Sequence, residues 1–271
     1  KRQKIKGILA NIFKVYGFEL SETPIIEFEE FVKGDKENID DEAVSDVFRL
    51  EDRGKRKLAL RYEFTFQLKR IASNKKLPYK RYQIGEVFRD EPTTGNRFRQ
   101  FTQCDVDIVG SSVREEAEIL ALASEIMKEL GIKAEIYVNN RKLLNEIMAE
   151  QKIEEKNRKK VIREIDKLDK LSEKEVRDNL KKYKAEKLLD IFKKPDAYFK
   201  RYESYKEILE LEEYCKIYGV KVRFSPSLAR GLSYYNGSVF EIKTQEIKET
   251  ICGGGSYMVN EIQSTGISFG L

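Results

Sequence analysis

The sequence predicts a fold of the α+β class, in which an antiparallel sheet is flanked by helices and interrupted by a helical insertion. Apolar residues recur at helical spacing in 3–16 and in 112–130. Residues 82–110 show a strand, a charged loop and a second strand whose side chains alternate in polarity. The stretch 141–219 has a helical pattern and is dense in Lys and Glu. Together these patterns predict a sheet with an inserted group of helices.

The composition excludes several classes of function. Of 271 residues, 52 are Lys or Arg and 47 are Asp or Glu, so the net charge of +5 permits a nucleic-acid partner without demanding one. The chain has no histidine, which excludes Ser-His-Asp chemistry and metal sites with His ligands. Its three separated cysteines are typical of reduced cytoplasmic thiols, and no apolar run approaches the length of a membrane span. Any catalysis must depend on positioning, arginines, carboxylates and bound metal.

The first elements are predicted to be a helix, an edge strand and a hairpin. Residues 3–16 form the helix, which ends at Gly17. Residues 23–26 contain a proline, which cannot donate a hydrogen bond to a neighbouring strand, so this strand is expected at a sheet edge. Residues 47–50 and 57–61 are predicted to pair as strands around an Asp-Arg-Gly turn. Two further predictions are a loop over 31–46 and a helix that runs from 65 to 71.

The second strand of the central hairpin has one unusual face. Apart from Phe101, its residues are charged or polar: Arg97, Arg99, Gln103, Asp105 and Asp107. One interpretation is a face that lies in water, as in many antiparallel sheets. The other is a binding site for a polyanion, because several arginines crowd a hairpin whose loop contains Pro92 and Gly95. The density of arginine favours the second interpretation.

The last third of the sequence predicts further strands. Residues 132–138 and 220–224 have strand patterns on either side of the helical stretch. Asn236-Gly237 predicts a hairpin turn within 234–240. The glycines 253–255 lie in or beside a strand, with a spacing unlike that of Rossmann or P-loop nucleotide sites. The helical stretch is either a solvated subdomain or, since it is basic, a surface that contacts an RNA backbone.

Three motifs resemble one family. Residues 88–110 read FRDEPTTGNRFRQFTQCDVDIVG, which resembles the second signature motif of class II aminoacyl-tRNA synthetases and in detail that of the histidyl-tRNA synthetases. Residues 228–241 read LARGLSYYNGSVFE, which resembles the segment by which that family recognises histidine. CGGGSY and the terminal GISFGL are similar to the family's closing strands. The resemblance implies a class II catalytic domain that forms histidyl-adenylate from histidine and ATP and passes the acyl group to tRNA.

The resemblance also implies a set of site residues. The ATP-binding residues would be Arg89, Glu91, Arg97 and Arg230, of which Arg89 and Arg230 would be catalytic at the α-phosphate. The histidine-binding residues would be Glu63, Thr65, Gln103, Asp107, Tyr234 and Tyr235. Glu91 would also approach a Mg²⁺ ion that binds with ATP. The chain departs from common family patterns at Tyr62, Phe64 and Ser233, where Pro, Gly and Asp are frequent.

Partners and boundaries follow from the same resemblance. The expected partners are histidine, ATP, the acceptor end of tRNA and a second copy of the chain bound through 3–16 and 23–26, in the cytoplasm and without a membrane. The expected domains are a first part of the catalytic core over 1–143, a helical insertion over 144–198 and a second part over 199–271 that stops before the third motif. One alternative is the non-catalytic regulatory subunit of ATP phosphoribosyltransferase, which has this fold. Another is a plain RNA-binding module, which explains the charge but not the motifs.

Overall fold

A computed structural model describes residues 1–33, 46–93, 98–246 and 250–271. The predicted site residue Arg97, the turn residue Gly95 and most of the predicted loop 31–46 lie outside these described residues. The chain divides into two compact units: unit 1 is Lys1–Ser112 with Met258–Leu271, and unit 2 is Val113–Tyr257. The domain boundaries predicted near 144 and 198 therefore stay a prediction.

The described helices and strands follow the predicted order closely. The helices are α1 (Arg2–Val15), α2 (Glu29–Lys33), α3 (Thr65–Ala72), α4 (Val113–Glu129), α5 (Arg141–Glu150), α6 (Glu155–Asp166), α7 (Glu173–Lys181), α8 (Leu188–Ile191), α9 (Asp196–Phe199) and α10 (Tyr205–Ile217). The strands are β1 (Glu19–Leu20), β2 (Ile26–Phe28), β3 (Arg49–Glu51), β4 (Lys57–Leu60), β5 (Tyr79–Phe88), β6 (Gln100–Val109), β7 (Ala134–Asn140), β8 (Val222–Phe224), β9 (Tyr235–Thr244), β10 (Cys252–Val259) and β11 (Ile262–Gly270). A short 3₁₀ turn, Lys167–Asp169, follows α6.

Unit 1 contains two sheets. In the larger one the strands lie in the order β1, β5, β6, β11, with β1 parallel to β5 and the other pairs antiparallel. In the smaller one β2, β4 and β3 pair antiparallel, so β2 lies at an edge. It shares only Ile26 with the strand predicted over 23–26, and Pro24 lies outside it. Helix α1 buries Leu9 and Phe13, and the Phe13 ring packs 5.2 Å from that of Tyr82 on β5. Its apolar stripe thus anchors the helix on the larger sheet.

Unit 2 contains strands in the order β10, β9, β7, β8, in which β7 and β8 are parallel and the other pairs are antiparallel. Helices α4 and α10 pack against each other. The residues predicted to form a helical insertion, 144–198, lie between β7 and β8 and contain the helices α6, α7 and α8. Ser172 and Glu175 form a capping box at the start of α7, with the Glu175 backbone N–H donating to Ser172 Oγ at 3.3 Å.

No helix among the described residues is long and apolar enough to span a membrane.

The predicted α+β class is confirmed, with one parallel strand pair in each unit beside the antiparallel ones. The predicted hairpin at 234–240 is wrong, since Asn236 and Gly237 lie inside the continuous strand β9. Strand β9 pairs with β10 at Tyr235 and again at Val239, and the irregular register between them takes up this dipeptide. A β-carbon on Gly237 would lie 3.2 Å from Ser256 Cβ, so the glycine allows close contact within the sheet.

Candidate active site

From Gln103 to Asp107 the polar face of β6 is buried, so the interpretation that it lies in water is wrong for these residues, whereas Arg99 is exposed. Gln103, Asp105 and Asp107 have exposed fractions of only 3–4%. They lie opposite Gly85, Gln83 and Arg81 of β5 in the antiparallel register. The face is therefore a row of polar groups inside unit 1, and such groups remain buried only when partners satisfy them.

Arg81 supplies the main cationic partner in this row. Its Nη2 lies 2.8 Å from Asp107 Oδ2, and the exposed fractions of the two side chains are 0% and 4%. The same nitrogen donates to the carbonyl oxygen of Phe64, at 3.2 Å. Gly266 of β11 faces Asp107, and a β-carbon on this glycine would overlap the carboxylate. The predicted histidine-binding residue Asp107 is thus part of a buried ion pair with a fixed position.

Asp105 has the most perturbed carboxyl group of the row. Gln103 Nε2 donates to Asp105 Oδ2 at 2.9 Å. Burial, reinforced by the negative charge of Asp107, raises the pKa of Asp105 to about 7. Two carboxyl groups and one buried guanidinium therefore share this row, in which Arg81 pairs directly with Asp107.

Arg89 joins the row at its outer end. Its Nη2 donates to Gln103 Oε1 at 3.2 Å, and its guanidinium lies 4.4 Å above the Tyr62 ring and 5.0 Å from the Phe101 ring. Tyr62 Oη donates to Glu91 Oε1 at 3.3 Å. Tyr62, a departure from the family pattern, therefore links two predicted ATP-binding residues. Stacking between aromatic rings leaves the planar edge of Arg89 able to donate to an anion.

The other two predicted histidine-binding residues of unit 1 lie at the start of α3. Glu63 is 6% exposed, and Thr65 is the first residue of the helix, with Phe64 at the N-cap. Phe64 is fully buried, and its ring lies 4.9 Å from Arg61 Cζ. A helix start of this kind also places positive dipole charge near Glu63.

Arg230 is the predicted catalytic residue of unit 2. Its backbone has a φ of 47°, in the left-handed region that side chains other than glycine adopt only when they are held there. Its Nη1 lies 2.8 Å from Glu241 Oε1 on β9. A β-carbon on Gly253 of β10 would lie 2.6 Å from Arg230 Cζ, so this glycine leaves space for the guanidinium. Arg141 Nη2 donates to the carbonyl oxygen of Arg230 at 2.7 Å.

The predicted tyrosine pair lies beside these elements in unit 2. The rings of Tyr234 and Tyr235 are 4.7 Å apart, and Tyr234 also contacts Tyr257 at 5.5 Å. Tyr235 is 7% exposed. A side chain on Gly255 would collide with the Tyr235 ring, because its β-carbon would lie 2.8 Å from Cδ1. The glycine run 253–255 thus makes room for two predicted site residues, Arg230 and Tyr235.

Sequence reasoning missed the residues that hold the predicted ones in position. Glu241 is the counter-ion of Arg230, Arg81 is that of Asp107, and Arg141 holds the backbone before Gly231. Burial alone would raise the pKa of Glu241, but the Arg230 guanidinium and the Lys243 ammonium hold it below its ordinary value. The alternation of Glu241 and Lys243 with apolar residues on β9 was the available signal.

The fold, with a buried arginine–carboxylate pair between neighbouring strands and a loop arginine held by a carboxylate on β9, is that of a class II aminoacyl-tRNA synthetase-like domain. A histidyl-tRNA synthetase structure from Nostoc sp. PCC 7120 superposes with a TM-score of 0.82 at 26% identity, covering 99% of this chain and 69% of that one. The histidyl-tRNA synthetase family model matches residues 1–271. The chain belongs to the histidyl-tRNA synthetase family.

Two relatives illustrate the breadth of this similarity. Histidine–tRNA ligase 1 of Bacillus cereus is 37% identical, over 100% of this chain and 71% of that protein. The histidine–tRNA ligase of Korarchaeum cryptofilum is 32% identical, over 100% of this chain and 69% of that protein. A Bacillus halodurans structure described as an ATP phosphoribosyltransferase regulatory subunit/histidyl-tRNA synthetase has a TM-score of 0.82 at 19% identity, which shows the fold alone.

Proposed function

We propose that this chain is a histidine–tRNA ligase, which activates histidine with ATP to histidyl-adenylate and transfers the histidyl group to tRNA. The observation that carries this proposal is the family match over residues 1–271, together with relatives that are named for this activity and match the whole chain. In the first step the histidine carboxylate attacks the α-phosphorus and pyrophosphate leaves. The carboxylate attacks as an anion, so this step needs charge stabilisation more than proton transfer, in agreement with a chain that has no histidine.

Arg89 and Arg230 are proposed to stabilise the negative charge that develops on the α-phosphate. Arg89 is supported by its position between two aromatic rings, which restrict its guanidinium while leaving donors available. Arg230 is supported by Glu241, which holds the guanidinium from one side. A planar fork that is already oriented costs little reorganisation as the transition state forms. Arg97 is proposed to bind the outer phosphates on the strength of the motif alone.

Histidine recognition is proposed for the residues that the family motifs assign to it. Asp107 would accept a hydrogen bond from the imidazole ring, and its ion pair with Arg81 holds the carboxylate in place. Glu63 and Thr65 would bind the α-ammonium group, and Gln103 would help to place the carboxylate or the ammonium group of the substrate. Tyr235, with Tyr234, would contact the ring. The support for these roles is the family motif, together with the burial of Glu63, Gln103, Asp107 and Tyr235.

ATP is the proposed nucleotide substrate, and Mg²⁺ is proposed to accompany it. Among the described residues, no group of three or more acidic or cysteine side chains is arranged to hold a metal ion. Mg²⁺ is commonly held by one or two carboxylates together with substrate phosphates. Glu91, which lies near Arg89 through Tyr62, is the carboxylate that fits this role. The ion would then neutralise phosphate charge as pyrophosphate leaves.

We also propose that the protein acts in the cytoplasm as a homodimer. Unit 1 exposes an apolar patch made of Ile25, Ile26, Phe28, Phe31 and Leu50, each 39–53% exposed. A contiguous patch of this kind often marks an interface between subunits. The patch includes the edge strand β2, as the family resemblance leads one to expect.

The test is histidine-dependent exchange of pyrophosphate into ATP. We expect exchange with histidine and not with other amino acids, and a loss of about 10²-fold to 10³-fold in kcat for Arg89→Ala and for Arg230→Ala. Arg56→Ala and Arg223→Ala are matched controls, since each removes an exposed arginine paired with a carboxylate in unit 1 and unit 2 respectively. A regulatory subunit would show no exchange at all, so absence of exchange in the natural chain would refute the proposed function.

A further inference from the structure

The Arg230 loop, which comprises residues 225–234 between β8 and β9, has a strained backbone at Arg230 that contacts from other segments must hold in place. A φ of 47° is costly for an arginine, and such residues persist when their surroundings fix them. Arg141 Nη2 supports the chain by donating to the carbonyl oxygens of Arg230 and Leu232, at 2.7 and 3.0 Å. Glu241 supports the side chain through its contact with Nη1. The position of the guanidinium therefore depends on the position of the Glu241 carboxylate.

Glu241 is itself shared between two cations. Its Oε1 faces Arg230 at 2.8 Å, whereas its Oε2 lies 3.1 Å from Lys243 Nζ and accepts from Thr250 Oγ1 at 3.2 Å. Glu241 is 4% exposed, so few water molecules can reach its carboxylate and replace these partners. Because its two oxygens contact different partners, the Glu241 carboxylate has little freedom to rotate about its terminal side-chain torsion angle. Lys243 thus determines which way Glu241 faces, although it does not touch Arg230.

Lys243 is in turn held by the helical insertion. Its Nζ lies 2.9 and 3.0 Å from the two carboxylate oxygens of Asp169, in the 3₁₀ turn after α6. The end of α6 also approaches the loop directly, since a β-carbon on Gly231 would lie 2.8 Å from Asp166 Oδ2. The insertion thus contacts the Arg230 loop at one place and its chain of counter-ions at another.

We propose that Lys243 and Asp169 are positioning residues for Arg230, through which the helical insertion sets the orientation of that guanidinium by way of Glu241. This inference rests on the proposed function for its kinetic readout, because adenylate formation is the step that Arg230 would serve. Contacts that move the insertion, such as the binding of a polyanion to its basic helices, would then change the rate of the chemical step. The effect on kcat is expected to exceed the effect on the KM for histidine.

The alternative is that these are ordinary surface ion pairs. Lys243 is 29% and Asp169 53% exposed, and pairs of this kind contribute little to stability. The two interpretations therefore predict nearly the same stability for a variant that lacks Lys243, but different kinetics and different local protection of the loop. Lys206→Met is a matched control, since Lys206 has an exposed partner, Glu203, at 2.8 Å.

The experiment compares Lys243→Met, Lys243→Arg, Asp169→Asn and the control in the full chain. In histidine-dependent pyrophosphate exchange we expect Lys243→Met to lower kcat by about 10-fold to 100-fold, with a small change in the KM for histidine. Asp169→Asn should lower kcat by a smaller factor, and Lys243→Arg should restore most of the rate. Asp178→Asn, which removes the exposed partner of Lys181, is the control for Asp169.

Hydrogen–deuterium exchange of the peptide 228–235 provides a readout independent of activity. We expect faster exchange there in Lys243→Met and Asp169→Asn, with an unchanged urea midpoint and wild-type protection in the controls. Wild-type kcat and protection in Lys243→Met would overturn the inference, as would equal losses in the control variants. A natural chain without exchange activity would refute the proposed function instead, and the deuterium comparison would still decide whether Lys243 and Asp169 hold the loop.

Discussion

Arg81 and Asp107 form an ion pair between neighbouring strands of unit 1, with 2.8 Å between their charged atoms and with almost no access to water. The two residues lie directly opposite each other in the β5–β6 register. Removing water from two charges is costly, and their attraction offsets that cost only while both are present. The pair is therefore a point at which the stability of the fold and the position of a proposed substrate-binding carboxylate depend on each other.

We expect Arg81→Met to destabilise the protein by about 3–5 kcal/mol, because it leaves the Asp107 charge buried without its partner. The double variant Arg81→Met with Asp107→Asn should recover a large part of that loss, since no charge then remains from the pair. The free energies of unfolding in urea would measure both effects. A double variant less stable than Arg81→Met would show that the buried charge is not the cause.

The carboxyl group of Glu116 should make stability fall as the pH rises. Burial raises its pKa from 4.5 to about 7, with Ser238 and Ser256 acting in the opposite direction. Between these values the folded protein keeps a proton that the unfolded chain has released, so the free energy of unfolding decreases by up to about 1.4 kcal/mol per pH unit. Relative to Glu116→Gln, the natural chain should thus lose stability between pH 5 and pH 7, as measured by urea unfolding.

The exposed Glu129 on the same helix supplies the control for this measurement. Glu129→Gln should keep the pH dependence of the natural chain, because this substitution leaves the buried Glu116 carboxyl group in place. If Glu116→Gln also kept the full pH dependence, the titration would belong to another buried group, of which Asp105 is the foremost.

Gly253→Ala should reduce activity far more than stability. The added methyl group would lie 2.6 Å from Arg230 Cζ, and the flexible side chain would move away from it. Displacement of a catalytic group by about 1 Å can cost about 10²-fold in rate. Pyrophosphate exchange should therefore fall by about this factor while the urea midpoint changes little. Wild-type kcat in this variant would contradict the proposed role of the Arg230 guanidinium.

Ile26→Glu should convert the proposed dimer into a monomer. Ile26 is 53% exposed within the apolar patch of unit 1, and a charge there would have to be desolvated on association. Light scattering should give about twice the 31.7 kDa chain mass for the natural chain and the single mass for the variant. Ile217→Glu, at a more exposed apolar residue of unit 2, is the control and should remain dimeric. A natural chain that is monomeric at every concentration would refute the dimer.

The acidic limb of kcat/KM for histidine is expected to belong mainly to the free substrate. The chain contains no histidine, whereas the imidazole of the substrate has a pKa of about 6.5. Asp105, with a pKa of about 7, is the main competing group in the proposed histidine-binding row. An analogue with a fluorinated ring of lower pKa should move the limb, and Asp105→Asn should leave it in place. If the limb stays at the same pH with the analogue and disappears in Asp105→Asn, the titrating group belongs to the enzyme.

The sequence predicted correctly those helix starts and ends that depend on a few neighbouring residues. Gly17 ends α1 with a φ of 80°, and the Ser172 capping box starts α7, because a few neighbouring residues decide these features. The environment of β6 could not be predicted in the same way. Its alternation gave the two faces correctly, but whether the polar face meets water depends on strands and helices distant in sequence. The hairpin turn predicted at Asn236-Gly237 was wrong for a similar reason, since β9 pairs with a strand on each side and this pairing overrode the local turn preference.

The sequence motifs name charged groups for the candidate site, but not the residues that support them. The family motifs pointed to Arg89, Gln103 and Asp107, and the structure brings Arg89 to Gln103 and Asp107 to a buried partner. The partners themselves, Arg81 and Glu241, depend on contacts between segments distant in sequence: strand register places Arg81 opposite Asp107, and the fold brings the loop with Arg230 to Glu241 on β9. Register between strands is a long-range property that one sequence specifies only through the whole packed sheet.

The left-handed backbone at residue 230 sets stability and catalysis against each other. Glycine adopts a φ of 47° without the steric cost that an arginine side chain adds, about 1–2 kcal/mol. Glu241 would still have Lys243 as a counter-ion if the guanidinium were absent. Selection for robustness alone would therefore admit glycine at this position, and a laboratory screen for thermal tolerance could recover Arg230→Gly as a well-folded but inactive variant. An arginine in this conformation is therefore what the proposed catalytic role would require, and not what the stability of the loop alone would favour.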